Sequence, residues 1–239
     1  MKIKFKDIDV FYKTIGESGE WLVFLHGWRG SIESFELVAK NFKNNRCLLI
    51  DFPPFGNSEE PYEIWDIDTY TDLVFNILEA EKIKSFSFIA HSFGGRVAIN
   101  FSSVYNERVK KLLLVDSAGI RPRFSVKKFI AVSRYRIAKK LGKNTDSFGS
   151  PDYKALSPLM RKTFVNIVNQ NALPSLKNIT AQTLIINGEH DDQTPLYMAK
   201  KLHKHIKNSA LIIFENCGHF AYLEDYLKFI AVSKSFFKE

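Results

Sequence analysis

The stretch "FIAHSFGGRVA", residues 88–98, joins an apolar run to a helix-like pattern through a turn that contains Ser92. So tight a turn between a strand and a helix strains the backbone of its central residue, while the small residues Ala90 and Gly94 leave room for neighbouring backbone. The serine hydroxyl then stands at a helix N-terminus, above the edge of a sheet. The pattern predicts a nucleophile, and an N-cap serine followed by packing glycines is the alternative.

Apolar runs of the same kind recur along the chain and alternate with helix-length segments such as 66–81 and 195–207. Continuous runs rich in Val, Ile and Leu are typical of strands buried on both faces of a parallel sheet. The alternation predicts a doubly wound α/β core with a mostly parallel sheet, preceded by two short strands in residues 1–12. The runs are "WLVFLH" (21–26), "CLLID" (47–51), "FSFIA" (86–90), "KLLLVD" (111–116), "QTLIIN" (182–187) and "ALIIF" (210–214).

Residues 120–178 interrupt this alternation, because they contain no strand-like run and are rich in basic and aromatic residues. An unstructured loop of that length would be unusual in a compact domain. We therefore predict a helical cap insertion at 120–178, between core segments 1–119 and 179–239. The sequence pattern of residues 121–143 predicts a basic amphipathic helix. Three roles stay open for its basic side chains: a solvated face, a funnel for an anionic substrate or a contact with a membrane surface.

The composition is that of a globular domain with 239 residues, of which 45% are hydrophobic, and a formal net charge of +8. No window holds about 18 consecutive apolar residues, so we expect no membrane span. Cys47 and Cys217 do not make a disulfide framework, which favours a cytoplasmic location. No recognition motif accompanies the positive charge, so we expect a small-molecule substrate and no nucleic acid. The oligomeric state stays open.

A nucleophilic serine needs a general base, and a histidine is the usual one. His219, in "ENCGHFAYLED", follows the last apolar run after a glycine, which places it at the carboxyl end of a strand, where α/β sheets bind ligands. His91 is next to Ser92 and is expected to point away from it. His203 and His205 lie among lysines on a predicted surface helix. Without nearby acids or thiols they predict no metal site.

The acid that orients the base has three candidates, Asp191, Asp192 and Asp116. Adjacent aspartates in a loop such as "LIINGEHDDQTP" (184–195) are more often solvated turn residues. However, the order Ser92, Asp191, His219 places each residue on its own loop after a strand. Asp191 lies closer to its strand than Asp192 does, so we favour Asp191.

At five places the chain resembles the α/β-hydrolase superfamily. Pro54 and Ala90 stand where the family usually has glycine, and the family's acid usually lies four positions before a proline, which selects Asp191. The matching segments are "FLHGW" (24–28), "DFPPFGNS" (51–58), "AHSFGG" (90–95), "NGEHDDQTP" (187–195) and "CGHFAYLED" (217–225).

The resemblance implies a Ser-His-Asp triad that needs no cofactor and no metal. The backbone N–H groups of Trp28 and Phe93 are then expected to bind the oxyanion, and His26 is expected to be structural. The segment "SFGGRVA" also resembles a menaquinone-pathway branch that acts on carboxylate-bearing substrates. We therefore expect Arg96 either to bind a substrate carboxylate or to form an internal salt bridge. The other candidate substrate-binding residues are Phe124, Phe129 and Phe164.

Three functions stay open from the sequence. The first is a serine hydrolase, a carboxylesterase-like enzyme that cleaves a small ester or thioester through an acyl-enzyme. The second is a C–C bond hydrolase or lyase that uses the same triad on a carboxylate-bearing substrate. The third is a binding protein without activity, which would gain nothing from an intact triad.

Overall fold

The computed structural model describes residues 1–123 and 151–238, and within them the chain forms one eight-stranded sheet. The apolar runs predicted from the sequence lie in its strands, except that three of them end one residue beyond the strand, at His26, Asp51 and Asp116. The strands are β1 (Lys2–Phe5), β2 (Ile8–Ile15), β3 (Glu20–Leu25), β4 (Asn45–Ile50), β5 (Phe86–His91), β6 (Val109–Val115), β7 (Gln182–Gly188) and β8 (Ser209–Phe214).

The strand order is β1-β2-β4-β3-β5-β6-β7-β8. The pairs β1–β2 and β2–β4 are antiparallel, and the remaining neighbours are parallel. This order confirms the predicted mostly parallel α/β sheet, including its two short N-terminal strands. Because parallel strands end at the same edge, the loops after β5, β7 and β8 meet there.

Helices cover both faces of the sheet. Successive residues of β5 face opposite layers: Phe88 and Ala90 pack with the layer of α2, α3 and α6, and Ile89 packs with the layer of α1 and α8. A strand with apolar neighbours on both sides needs a continuous apolar sequence. The helices of the described residues are α1 (Glu33–Ala39), α2 (Ile67–Ala80), α3 (Ser92–Val104), α4 (Pro151–Lys154), α5 (Pro158–Asn169), α6 (Leu196–His205), α7 (Ala221–Glu224) and α8 (Tyr226–Phe237).

The described part of the predicted cap contains α4 and α5 and no strand. Several hydrogen bonds join it to the core. For example, the backbone N–H of Trp65 donates to Oγ1 of Thr163 at 3.1 Å, and the N–H of Ala172 donates to the carbonyl of Gly119 at 2.9 Å. Most of the predicted basic helix, together with Phe124 and Phe129, lies outside the described residues. Across residues 1–123 and 151–238, no helix is long and apolar enough to cross a membrane.

Candidate active site

Ser92 is the first residue of α3 and directly follows β5. Its φ of +50° lies in the left-handed region, which a residue other than glycine rarely adopts. The start of α3 lies close against the end of β3, since a Cβ added at Gly94 would stand 2.2 Å from the carbonyl oxygen of Leu25. This close approach explains why a glycine follows the strained serine.

Three side chains from separate loops form a continuous line of hydrogen bonds. The hydroxyl of Ser92 lies 3.0 Å from Nε2 of His219, and Nδ1 of His219 lies 2.9 Å from Oδ2 of Asp191. Asp191 and His219 are buried. The geometry is that of a nucleophile, a base and an orienting acid.

The backbone of its own loop fixes the carboxylate of Asp191. Its Oδ1 accepts hydrogen bonds from the N–H groups of Gln193, at 2.8 Å, and Thr194, at 2.9 Å. Burial raises the pKa of Asp191, but hydrogen bonds from His219 and Thr194 together outweigh it, and the pKa lies below its usual value. A charged Asp191 keeps the proton of His219 on Nδ1, which leaves Nε2 free to accept the serine proton. Asp192 is exposed.

Asp116, the third acid candidate, binds backbone instead of His219. Its Oδ1 accepts from the N–H of Gly188 at 2.8 Å, and its Oδ2 accepts from the N–H of Ala221 at 3.0 Å. The side chain is fully buried, and this burial raises its pKa to about 7. Asp116 thus joins the acid loop to the histidine loop.

Two further residues, Thr194 and Glu224, support the triad geometry, and the sequence pattern did not predict this role for either. Oγ1 of Thr194 lies 2.5 Å from Oδ2 of Asp191 and 2.9 Å from the carbonyl oxygen of Asp116. Glu224 accepts hydrogen bonds from the N–H groups of Gly218, at 2.7 Å, and Phe220, at 3.1 Å. Two features of the sequence could have indicated them: Thr194 directly precedes Pro195, and Glu224 is an acid in the first helical turn after His219.

The two predicted oxyanion donors are available. Within residues 1–123 and 151–238, the N–H groups of Trp28 and Phe93 have no hydrogen-bond acceptor. The N–H of Phe93 lies in the first turn of α3, where a helix leaves its donors unpaired and its dipole favours a negative charge. Both N–H groups therefore stay the expected donors for an oxygen that gains negative charge.

His26 holds the loop of residues 26–28, which we call the oxyanion loop. The N–H of Phe52 donates to its Nε2 at 2.9 Å, so the proton lies on Nδ1, which donates to the carbonyl of Gly27 at 2.7 Å. Burial lowers the pKa of His26, and the ring stays neutral. Its contacts are those of the expected structural residue.

His91, which was expected to point away from Ser92, contacts the histidine loop. Its Nε2 lies 2.8 Å from the carbonyl oxygen of His219. His203 and His205 lie at the end of α6, where Nδ1 of His203 contacts Oγ of Ser209 at 2.9 Å. In the part of the chain that the structure describes, no group of three His, Cys, Asp or Glu residues could hold a metal ion.

The candidate substrate residues lie in different surroundings. Arg96 is buried on α3 beside a cavity of about 50 Å³, and its Nη1 donates to the carbonyl of Gln170 at 2.5 Å. Burial lowers the pKa of this guanidinium to about 10. Among the described residues no carboxylate pairs with Arg96, so the predicted internal salt bridge is absent there.

Phe164, on α5, reaches the site through an aromatic chain. Its ring centroid lies 5.2 Å from that of Trp28, which lies 5.3 Å from that of Phe93. Of the predicted cap residues, it is the one within the described part of the chain, because Phe124 and Phe129 fall outside it. The described part of the cap thus contacts the oxyanion loop.

Comparison with known proteins gives matches over almost the whole chain. The model of a family described as "Alpha/beta hydrolase family" matches residues 22–232. A 2-hydroxymuconate semialdehyde hydrolase of Pseudomonas sp. (strain CF600) is 26% identical over 252 residues, which cover 91% of this chain and 87% of that protein. A proline iminopeptidase of Lactobacillus acidophilus is 25% identical over 282 residues and covers 98% of this chain and 96% of its own.

Solved structures agree on the fold. The crystal structure of MGS-M2, an alpha/beta hydrolase enzyme from a Medee basin deep-sea metagenome library, superposes with a TM-score of 0.81 at 23% identity. The match covers 100% of this chain and 98% of that one.

Proposed function

The chain belongs to the alpha/beta hydrolase family, and from this premise we propose that it is a serine hydrolase that cleaves a small carboxylic ester or thioester. The proposed catalytic residues are Ser92, His219 and Asp191. The observation that carries the proposal is the unbroken line of hydrogen bonds from Ser92 Oγ to Asp191 Oδ2. It is supported by the N–H groups of Trp28 and Phe93, which have no acceptor within residues 1–123 and 151–238.

The first half of the proposed reaction makes an acyl-enzyme. Ser92 Oγ attacks the carbonyl carbon while its proton passes to Nε2 of His219, and Asp191 stabilises the imidazolium that forms. The carbonyl oxygen gains negative charge and accepts hydrogen bonds from the N–H groups of Trp28 and Phe93. The intermediate then collapses, the bond to the leaving group breaks, and His219 returns the proton to that group.

The second half releases the acid. A water molecule gives one proton to Nε2 of His219 and its oxygen bonds to the acyl carbon through a second tetrahedral intermediate. The bond to Ser92 Oγ breaks, and His219 returns the proton to the serine. Each step reuses the same base and the same donors, so nothing beyond water and substrate is consumed.

The test is a panel of p-nitrophenyl esters of graded chain length, together with a fluorophosphonate probe. Wild-type protein is expected to turn over short esters and to carry the probe on Ser92, and Ser92→Ala is expected to lose several orders of magnitude in kcat. His203→Gln, on the exposed end of α6, is the matched control and should behave as wild type. A probe attached to another residue, or activity retained by Ser92→Ala, would overturn the proposal.

A second candidate function is hydrolysis of a C–C bond in a carboxylate-bearing substrate. The substrate in the name of the Pseudomonas relative, 2-hydroxymuconate semialdehyde, contains a carboxylate but no ester or amide bond. Arg96, one turn after Ser92 on α3, is buried without a carboxylate partner among the described residues, and a substrate carboxylate would supply one. This observation supports the prediction that Arg96 binds substrate.

One comparison of substrates distinguishes the two candidate functions. Turnover of 2-hydroxymuconate semialdehyde without turnover of p-nitrophenyl acetate would favour the second. In that case Arg96→Met is expected to raise KM for the carboxylate-bearing substrate and to leave fluorophosphonate labelling of Ser92 unchanged. An equal KM in the variant and the wild type would exclude the proposed role of Arg96.

We further propose that residues 120–178 form a cap that selects the substrate without supplying the triad. The contact of Phe164 with the oxyanion loop supports this. A cytoplasmic location stays a prediction, based on the presence of just two cysteines in the sequence, both of which are buried.

A further inference from the structure

His91 lies between the two groups of residues that perform the proposed chemistry. On one side its Nε2 donates to the carbonyl oxygen of His219 at 2.8 Å, and its ring centroid lies 4.9 Å from the centroid of the His219 ring. The side chain is buried, and the rings of Phe220 and Tyr222 also contact it, at 5.2 Å and 5.0 Å between centroids.

On its other side the ring of His91 meets the oxyanion loop. A Cβ added at Gly27 would stand 2.7 Å from Nδ1 of His91, which is closer than Cβ contacts in proteins. The loop can lie this near the ring only because residue 27 has no side chain. Gly27 directly precedes Trp28, whose N–H is one of the two proposed oxyanion donors.

We propose that His91 is a positioning residue, which sets the separation between the oxyanion loop and His219 by contacting both. The inference rests on the proposed function, and it adds a residue to which neither the family motifs nor the triad assigns a role. The carbonyl of His219 can only accept a hydrogen bond, so the single proton of a neutral His91 lies on Nε2. The ring therefore has one orientation in which it contacts both loops.

A neutral ring suits this position. Burial is the main cause that lowers the pKa of His91 to about 3, and the nearby His219 contributes less. The ring therefore carries no charge at the pH of any ordinary assay. A cation in contact with His219 would oppose the imidazolium that forms during proton transfer. His91 thus contributes bulk and one hydrogen bond without an opposing charge.

Fluorophosphonate labelling of Ser92 tests the proposal without knowledge of the natural substrate. His91→Phe keeps the ring and removes the donor, and we expect the labelling rate constant kinact to fall by about tenfold to a hundredfold, since displacements near 1 Å have effects of that size. The inhibition constant KI should change little. His91→Gln, which retains an N–H donor, is expected to recover a large part of the lost rate, and His203→Gln is again the control.

A double-mutant cycle tests the second contact. Gly27→Ala should lower kinact in the wild type, because its Cβ would stand 2.7 Å from Nδ1 of His91 and 3.3 Å from Cβ of Ser92. In a His91→Ala background only the longer contact remains, so the same change should have a smaller effect. Thermal unfolding of every variant identifies any that does not fold, and His91→Asn, too short to reach the carbonyl, replaces His91→Phe if needed.

The outcomes are distinct. Equal kinact in His91→Phe, His91→Gln and wild type, or an equal effect of Gly27→Ala in both backgrounds, would overturn the positioning role of His91. A rise in KI with kinact unchanged would do so as well. Labelling that persists in Ser92→Ala would instead show that the proposed function is wrong.

Discussion

Replacement of Asp191 by asparagine tests the acid of the proposed triad most directly, because the neighbouring Asp192 provides a matched control. Asp191 is buried with its Oδ2 at 2.9 Å from Nδ1 of His219, whereas Asp192 is exposed. Both changes remove one negative charge from the same loop and keep the size of the side chain. They differ in whether the lost oxygen contacts the base.

The expected magnitude follows from this contact. Oδ1 of Asp191 accepts hydrogen bonds from two backbone N–H groups. In the asparagine variant, the amide oxygen is expected to take the place of Oδ1, which directs the NH2 group toward His219. The NH2 group can only donate, so Nδ1 becomes the acceptor and the proton moves to Nε2, where it blocks acceptance of the serine proton. Triads lose about 10⁴-fold in kcat through this change, which is about 5 kcal/mol. Asp192→Asn is expected to stay within about twofold.

The assay is kcat for a short p-nitrophenyl ester, with kinact for the fluorophosphonate as a second measure. Unfolding midpoints of both variants show whether each is folded. If Asp192→Asn proves the more damaging change, Asp192 is the acid. If both variants keep more than about a tenth of the wild-type rate, the orienting role of Asp191 is wrong.

Three further outcomes follow from the structure. Burial raises the pKa of Asp116 from its ordinary value of 3.8 to about 7 in the folded chain, so the folded state binds more protons than the unfolded state between these pH values. Its contribution to stability is therefore present below pH 4 and lost as the pH rises through 7, and urea titrations at pH 5 and pH 8 should show a smaller difference for Asp116→Asn than for the wild type. Gly94→Ala should lower the free energy of unfolding by about 1–3 kcal/mol, because its Cβ meets the carbonyl of Leu25; an unchanged urea midpoint would contradict this contact. Phe164→Ala should change the ratio of kcat/KM between long and short acyl esters by about threefold or more, whereas Val165→Ala, at an exposed position of the same helix, should not. An equal effect on all esters would assign Phe164 to packing alone.

The sequence predicted the sheet and the positions of Ser92, His219 and Asp191. Strands with apolar neighbours on both faces require unbroken apolar runs, and a tight turn before a helix requires small residues. Both requirements are local, so they can be recognised without a structure. The spacing from Asp191 to Pro195 separated two adjacent aspartates that composition alone could not distinguish.

Contacts between distant loops were not predictable in this way. The alternation of side chains along β5 predicts the face of the sheet on which His91 lies. It does not predict that the loop after β8 folds over that face. Asp116 and Glu224 act on backbone N–H groups, which every residue except proline carries, so no residue pattern marks their partners. Such roles depend on the path of the loops and become visible only when the loops are in place.

The hydrogen-bond partners of the three proposed catalytic side chains have a consequence for how this molecule could change over time. In the described parts of the chain, every group bonded to Ser92, Asp191 or His219 comes from residues 1–119 or 179–239. Substitutions in the described part of 120–178 therefore remove none of these hydrogen bonds, although Phe164 and Gln170 contact Trp28 and Arg96. In the proposed function, reactivity and substrate selection therefore depend on different parts of the chain.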